Sequence, residues 1–213
     1  DSGRFEFDSS ERTATADIKL PNGTAEQYSG SFSFKATDRA GNISDTYTDN
    51  KTVIIVDTVA PTRTVEFSEP KEGSFEEGSK AYYDSNAFAT ITITEANFYP
   101  EDVDLKVNDE TYSDVSWTKS GDVWTGTVNF SNDGHYILKL NYSDRSTNKM
   151  EEYVSGEIII DEYDPVIEVS YSPDKEVYSS GERKYYDEEQ TATIKITEHN
   201  FDPSNVEVVL TAE

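Results

Sequence analysis

The chain of 213 residues contains no cysteine. That excludes a disulfide framework, a thiolate metal centre and a cysteine nucleophile. Small extracellular domains of animals ordinarily carry paired cysteines, so their absence fits either a cytosolic protein or the exported surface proteins of bacteria. Histidine is nearly as scarce. His135 and His199 are the only two, and no G-x-S-x-G motif accompanies either, so no catalytic residue is assigned and the chain reads as non-enzymatic. Basic residues are few as well: 18 against 43 acidic ones, a net charge of −25 spread along the whole chain. Such a surface repels phosphate backbones and anionic lipid, which excludes nucleic acid as a partner. No run of 18 apolar residues exists and no signal-peptide pattern opens the sequence. We therefore expect no membrane insertion in this segment, and a mature fragment whose export signal and anchor lie elsewhere.

What the sequence has in quantity is a period of two. Ala89, Ile91 and Ile93 alternate with threonines; Trp124, Gly126, Val128 and Phe130 alternate with Thr125, Thr127 and Asn129; Tyr136, Leu138, Leu140 and Tyr142 alternate with Ile137, Lys139 and Asn141. Each set predicts a strand with one buried and one wet face. No helical stripe competes. Strands are predicted near 64–67, 80–83, 88–95, 104–107, 115–119, 123–130, 134–143 and 153–160, with turn-forming stretches between them. Flanking strands are predicted at Ala14 to Leu20, Phe32 to Ala36, Val53 to Val56, Ile167 to Tyr171, Lys184 to Tyr186, Ala192 to Ile196 and Val206 to Leu210. The fold class is all-β, an antiparallel sandwich. Burial of the Trp117 and Trp124 indoles makes Trp124→Ala one of the most damaging changes expected.

One stretch occurs twice. Tyr82 to Val107 and Tyr185 to Leu210 agree at 13 of 26 positions without a gap, at an offset of 103. Val56 to Pro61 aligns with Ile160 to Pro165 at offset 104, and Asp38 to Asn42 with Asp144 to Asn148 at offset 106. A period near 100 residues is long enough for a unit that buries its own core. The division is a complete module at 60–162, the back half of a preceding module at 1–59 and the front half of a following one at 163–213. Half a sandwich leaves an apolar face uncovered, so self-association through the incomplete terminal modules is one expectation.

The D-R-A-G-N turn at Asp38 to Asn42, the V-D-T-V-A-P junction at Val56 to Pro61 and the I-T-E-x-N-F-x-P-x-x-V block (Ile93 to Val103, Ile196 to Val206) together resemble the tandem bacterial immunoglobulin-like domains of large Gram-positive cell-surface proteins. The resemblance implies Ig-like sandwich modules in tandem, export to the cell surface or cell wall, and calcium at some junctions between modules. In the central copy the turn reads Asp144 to Asn148 with Thr147 where the first has Gly41, which leaves a backbone role for the glycine unassured there.

Calcium is also the sharpest ligand that the residues themselves suggest, because hard cations take six to eight oxygens. The candidate ligands are Asp57, Asp161 and Asp164 at the junctions, with Asp38 and Asn42, or Asp144 and Asn148, in the nearby turns. The competing reading is that these residues bond their own backbone in turns. No cofactor is required on either reading. Glu95 with Asn97, and Glu198 with Asn200, are assigned as turn caps beside core-filling Phe98 and Phe201. Tyr82-Tyr83 and Tyr185-Tyr186 serve either as packed strand residues or as an aromatic ledge for sugar. Lys106 and Lys139 alternate with apolar residues and are expected to point outward, which disfavours an isopeptide bond. The sequons Asn22-Gly23-Thr24 and Asn42-Ile43-Ser44 matter only in a secreted eukaryotic protein.

Three functions follow as expectations: a stalk or spacer that presents a distant head, with neighbouring modules of the same chain as partners; an adhesin module that binds host glycan or protein; and an accessory domain of a large extracellular hydrolase.

Overall fold

The computed structural model describes residues 5–19, 27–48, 53–173 and 175–211. Before residue 60 the strands are β1 (Glu6–Asp8), β2 (Thr13–Thr15), β3 (Gln27–Gly30), β4 (Ser33–Phe34), β5 (Tyr47–Thr48) and β6 (Ile54–Asp57). They form three antiparallel pairs, β1 with β2, β3 with β6 and β4 with β5, the last nested in the connection between β3 and β6. The central stretch carries β7 (Thr62–Phe67), β8 (Glu72–Gly73), β9 (Lys80–Tyr83), β10 (Ala87–Thr94), β11 (Asp104–Val107), β12 (Glu110–Thr111), β13 (Thr118–Ser120), β14 (Val123–Phe130), β15 (Gly134–Tyr136), β16 (Leu138–Asn141), β17 (Tyr153–Val154) and β18 (Glu157–Ile160). After it come β19 (Val166–Ser172), β20 (Tyr178–Ser180), β21 (Arg183–Tyr185) and β22 (Thr191–Thr197). Short 3-10 turns at Pro100–Asp102 and Pro203–Asn205 follow Phe98, which is buried in the core as expected, and Phe201, which is 49% exposed and does not fill the core that the repeat predicts for it.

The fold is all-β, as the alternation predicts. In the centre the sheet β13-β14-β10-β7 covers two smaller sheets, β12-β11-β16-β17 and β15-β18-β9-β8. One core joins the layers: Ile91, Ile93 and Val128 from the first pack with Leu105, Leu138, Leu140, Ile158 and Ile160 from the others. The threonines of β10 face the opposite way because successive side chains of a strand alternate. Gly126 sits in β14 where a Cβ would lie 2.6 Å from Val115 and 3.0 Å from the Trp117 ring. Only a bare backbone lets that indole lie across the strand.

Several strand expectations need correction. The run 134–143 breaks at Ile137, and 153–160 breaks at Ser155-Gly156. Both breaks occur together because Ser155 bridges them: its N–H donates to the Leu138 carbonyl and its Oγ accepts the Leu138 N–H, each at 2.9 Å. The broken hairpin serves two sheets instead of one. β9 and β18 pair in parallel, which the long connection between them permits. Residues 115–117 lie outside β13, β2 stops at Thr15, β4 spans only Ser33–Phe34, and Leu20 and the sequon at Asn22 lie outside the described residues. Val206 to Leu210 forms no strand. Its counterpart β11 is held by β16, and no such strand lies beside 206–210 among the described residues.

Register recurs along the chain. Ile194 faces Val169 as Ile91 faces Val65; Phe34 faces Tyr47 as Leu140 faces Tyr153; Thr37 bridges Ile43 as Ser143 bridges Lys149. Thr147 takes the left-handed backbone of Gly41, with φ of 73° against 89°, so the turn keeps its shape at the cost of strain in a β-branched residue.

Candidate metal centre

Asp57 is the last residue of β6 and leads through Val59 to the buried Pro61 before β7 begins. Its Oδ1 accepts the Val59 N–H at 3.1 Å and Gln27 Nε2, from β3, at 3.2 Å. Its Oδ2 accepts Asn97 Nδ2 at 2.7 Å. Glu95 follows β10 directly. Its N–H donates to the Asp122 carbonyl at 2.8 Å and its Oε1 accepts the Asn97 N–H at 2.7 Å, the turn cap that the repeat suggested. Asp144 closes its own turn, accepting the Asn148 N–H and Nδ2 at 2.8 Å each, while the same Nδ2 reaches the Asp57 carbonyl at 3.0 Å.

These turns converge. Asp57, Glu95 and Asp144 are 6%, 3% and 5% exposed, and each offers a carboxylate oxygen within 4.8 Å of the other two. Every hydrogen-bond donor named above is a neutral amide. Among the described residues none of the ion pairs includes any of the three. Arg145, next to Asp144, turns away to Asp102 at 2.7 Å and Glu101 at 2.8 Å and stacks over Tyr99 at 3.4 Å. Like charges at this spacing repel by about 4 kcal/mol per pair at an effective dielectric constant near 20. A proton or a cation at this point would relieve that repulsion.

Glu95 is where a proton would go. Burial, reinforced by the Asp57 and Asp144 charges, holds its carboxyl above the ordinary range. Burial pushes Asp57 the same way, but the bonds from Asn97, Val59, Gln27 and the Glu95 carboxyl together outweigh it and leave Asp57 below its usual value. All three groups present hard oxygen donors and no nitrogen or sulfur ligand, a set that suits calcium better than a softer metal.

Of the seven candidate ligands, the structure brings together Asp57 and Asp144, with Asn148 as a donor that orients both. Asp38 and Asn42 reproduce the Asp144 turn, with Asn42 N–H and Nδ2 donating at 2.8 and 2.7 Å, but are exposed and, among the described residues, join no group of acids. Asp161 accepts Asn200 Nδ2 at 2.6 Å while Glu198 accepts the Asn200 N–H at 3.0 Å, a pair matching Asp57 and Glu95. No third acid joins them among the described residues. Asp164 is exposed; it aligns with Ala60 and has no role at the central junction. The sequence by itself marks Glu95 only as a turn cap. The signal for it was present, since the strand-end Glu-x-Asn-Phe recurs in both copies.

Other expectations resolve more simply. Tyr83 is buried with its hydroxyl on the Ser68 carbonyl, whereas Tyr82 is only partly buried. Lys106 and Lys139 face one another across β11 and β16 and pair with Asp104 and Asp109, not with asparagine. His135 is exposed and bonds Glu157 at 2.9 Å. His199 lines an open groove of about 890 Å³ with Tyr82, Tyr163 and Phe201. Among the described residues no helix is long and apolar enough to cross a membrane. The chain was compared with family models, curated proteins and solved structures, and none matches.

Proposed function

We propose that this chain is a non-catalytic stalk segment of tandem Ig-like modules from an exported bacterial surface protein, and that calcium at the junction between modules stiffens it. The observation that carries this reading is the buried acid triad. Asp57 comes from the segment before the junction, tied to β3 through Gln27, whereas Glu95 and Asp144 stand on the central two-layer unit. An ion bound by all three would join one module to the next and offset their repulsion. A spacer gains from such a joint because it must hold its head away from the surface.

The test is thermal unfolding in millimolar calcium and in chelator. A ligand at a hundred times its dissociation constant adds about 2.7 kcal/mol, which for a module of this size raises the melting temperature by roughly 10 °C or more. Equal melting temperatures in the two buffers would remove calcium from the proposal.

The groove beside Tyr163, which is 68% exposed, favours the adhesin reading as the second choice. A glycan array probed with the chain and with Tyr163→Ala separates it from the stalk. The accessory-domain reading differs only in what adjoins this segment.

A further inference from the structure

Arg145 ties the Asp144 turn to the loop that bears Glu95. Its Nε donates to Asp102 Oδ2 at 2.7 Å and its Nη2 to Glu101 Oε1 at 2.8 Å, and its guanidinium carbon lies 3.4 Å from the centre of the Tyr99 ring. All three partners stand on the loop that leaves β10 through Glu95 and Asn97, whereas Arg145 stands on the turn that Asp144 and Asn148 close. One side chain therefore spans the segments that supply two of the three buried acids.

The internal repeat isolates what that loop has given up for Arg145. From Phe98 to Val103 and from Phe201 to Val206 the copies differ at three positions: Tyr99, Glu101 and Asp102 align with Asp202, Ser204 and Asn205. Both stretches build the same 3-10 turn. In the second copy Asp202 caps it, accepting the Ser204 N–H at 2.9 Å; in the central copy Tyr99 holds that place and no side chain caps the turn. The three differing positions are the three contacts of Arg145. A turn that only had to close would keep its cap, and this one presents a ring and two carboxylates that suit a planar, forked cation.

We infer that Arg145 is a positioning residue that locks the Glu95 loop to the Asp144 turn before any ion arrives. Its consequence for calcium affinity rests on the junction reading above; the lock itself does not. Charge and geometry forecast opposite signs. As a charge beside Asp144, Arg145 repels a cation, so its removal would tighten calcium binding. As a lock it holds the ligands in place, and losing a group that orients metal ligands weakens binding by about 10- to 100-fold. Lysine keeps the charge but is a point donor that cannot grip two carboxylates and stack on the ring, so Arg145→Lys is expected to resemble Arg145→Ala. Because the Arg145 side chain is 52% exposed, its ion pairs add little to global stability.

Amide exchange of the full chain in chelator, followed residue by residue by nuclear magnetic resonance, reads the lock without an ion. In Arg145→Ala the Asn97 and Asn148 N–H groups, which bond Glu95 Oε1 and Asp144 Oδ1, are expected to exchange about tenfold faster or more, while amides of β10 and β14 keep their wild-type rates. The melting temperature should move by less than about 5 °C. Tyr99→Asp/Glu101→Ser/Asp102→Asn gives the loop the residues that already build this turn at 202–205, cap included. It is expected to produce the same local change, and adding Arg145→Ala to it should change nothing further. Calorimetric titration with calcium alone then reads the consequence: all these variants should bind about tenfold or more weakly than wild type. Unchanged exchange at Asn97 and Asn148, acceleration spread over the whole central unit, or calcium binding by Arg145→Ala as tight as wild type or tighter overturns the inference. A wild type that binds no calcium overturns the junction reading instead, and the exchange rates still decide the lock.

Discussion

Glu95→Gln is expected to stabilise the protein in chelator and to abolish most of its response to calcium. Two effects of one substitution thus have opposite signs. In chelator the carboxylate is buried against the Asp57 and Asp144 carboxylates with no cationic side chain in an ion pair to it among the described residues, so a neutral side chain of the same shape relieves repulsion worth about 1–3 kcal/mol after solvent and structural relaxation. In calcium the same carboxylate is a ligand, and its loss removes the greater part of the expected increment of about 2.7 kcal/mol.

The pH dependence follows from the same group. Glu95 titrates higher in the fold than in the unfolded chain, so the stability from its protonation is full below the unfolded value and is lost as pH rises through the folded one. Asp57, shifted down, acts in reverse: its contribution is present above the unfolded value and is lost as pH falls through the folded one. The metal-free protein should therefore be most stable in the acid range where Glu95 is protonated and Asp57 ionised. Calcium should move that optimum toward neutrality. Chemical denaturation of both proteins across pH, with and without the ion, reads all of this in one series. A glutamine variant no more stable than wild type in chelator would mean that the triad is not charged and crowded as described.

The second large effect is a contrast between two equivalent isoleucines. Ile91→Ala is expected to destabilise the central unit by about 3–4 kcal/mol, because the side chain is wholly enclosed between the layers and its removal leaves a cavity. Ile194→Ala, at the matching position in the matching register, is expected to cost less than about 1 kcal/mol in dilute solution, since nearly half of that residue faces water. Trp124 falls between them. It is half-buried against Phe98 at 5.0 Å and Lys119 at 4.9 Å, and its indole N–H is buried without a partner. Urea midpoints at unchanged slope measure these losses. Equal losses at Ile91 and Ile194 would show that the C-terminal segment is closed by its own residues.

Alternation carried most of the central fold. Ala89, Ile91, Ile93, Val128, Phe130, Leu138 and Leu140 are buried as their period of two requires. Pairing was harder to read. A strand's existence depends on its own residues, but its persistence depends on a neighbour, and Val206 to Leu210 has the pattern without the partner. The breaks at Ile137 and Ser155 arise from a side-chain bond across two strands, which no local pattern records. The site was legible in pieces. Junction and turn placed Asp57 and Asp144, but Glu95 looks like any strand-end cap until the chain brings three distant turns to one point. Asp164 is exposed and joins no group of acids among the described residues.

The account depends most on whether that convergence holds an ion, and terbium, a luminescent stand-in for calcium, reports it directly. Trp124 is paired with Ile93, two residues before Glu95, close enough to sensitise a lanthanide bound there. On tryptophan excitation the wild type should give terbium emission that saturates at one ion per chain, is displaced by calcium and is lost in Glu95→Gln. No sensitised emission, or emission that Glu95→Gln leaves unchanged, would contradict the junction site.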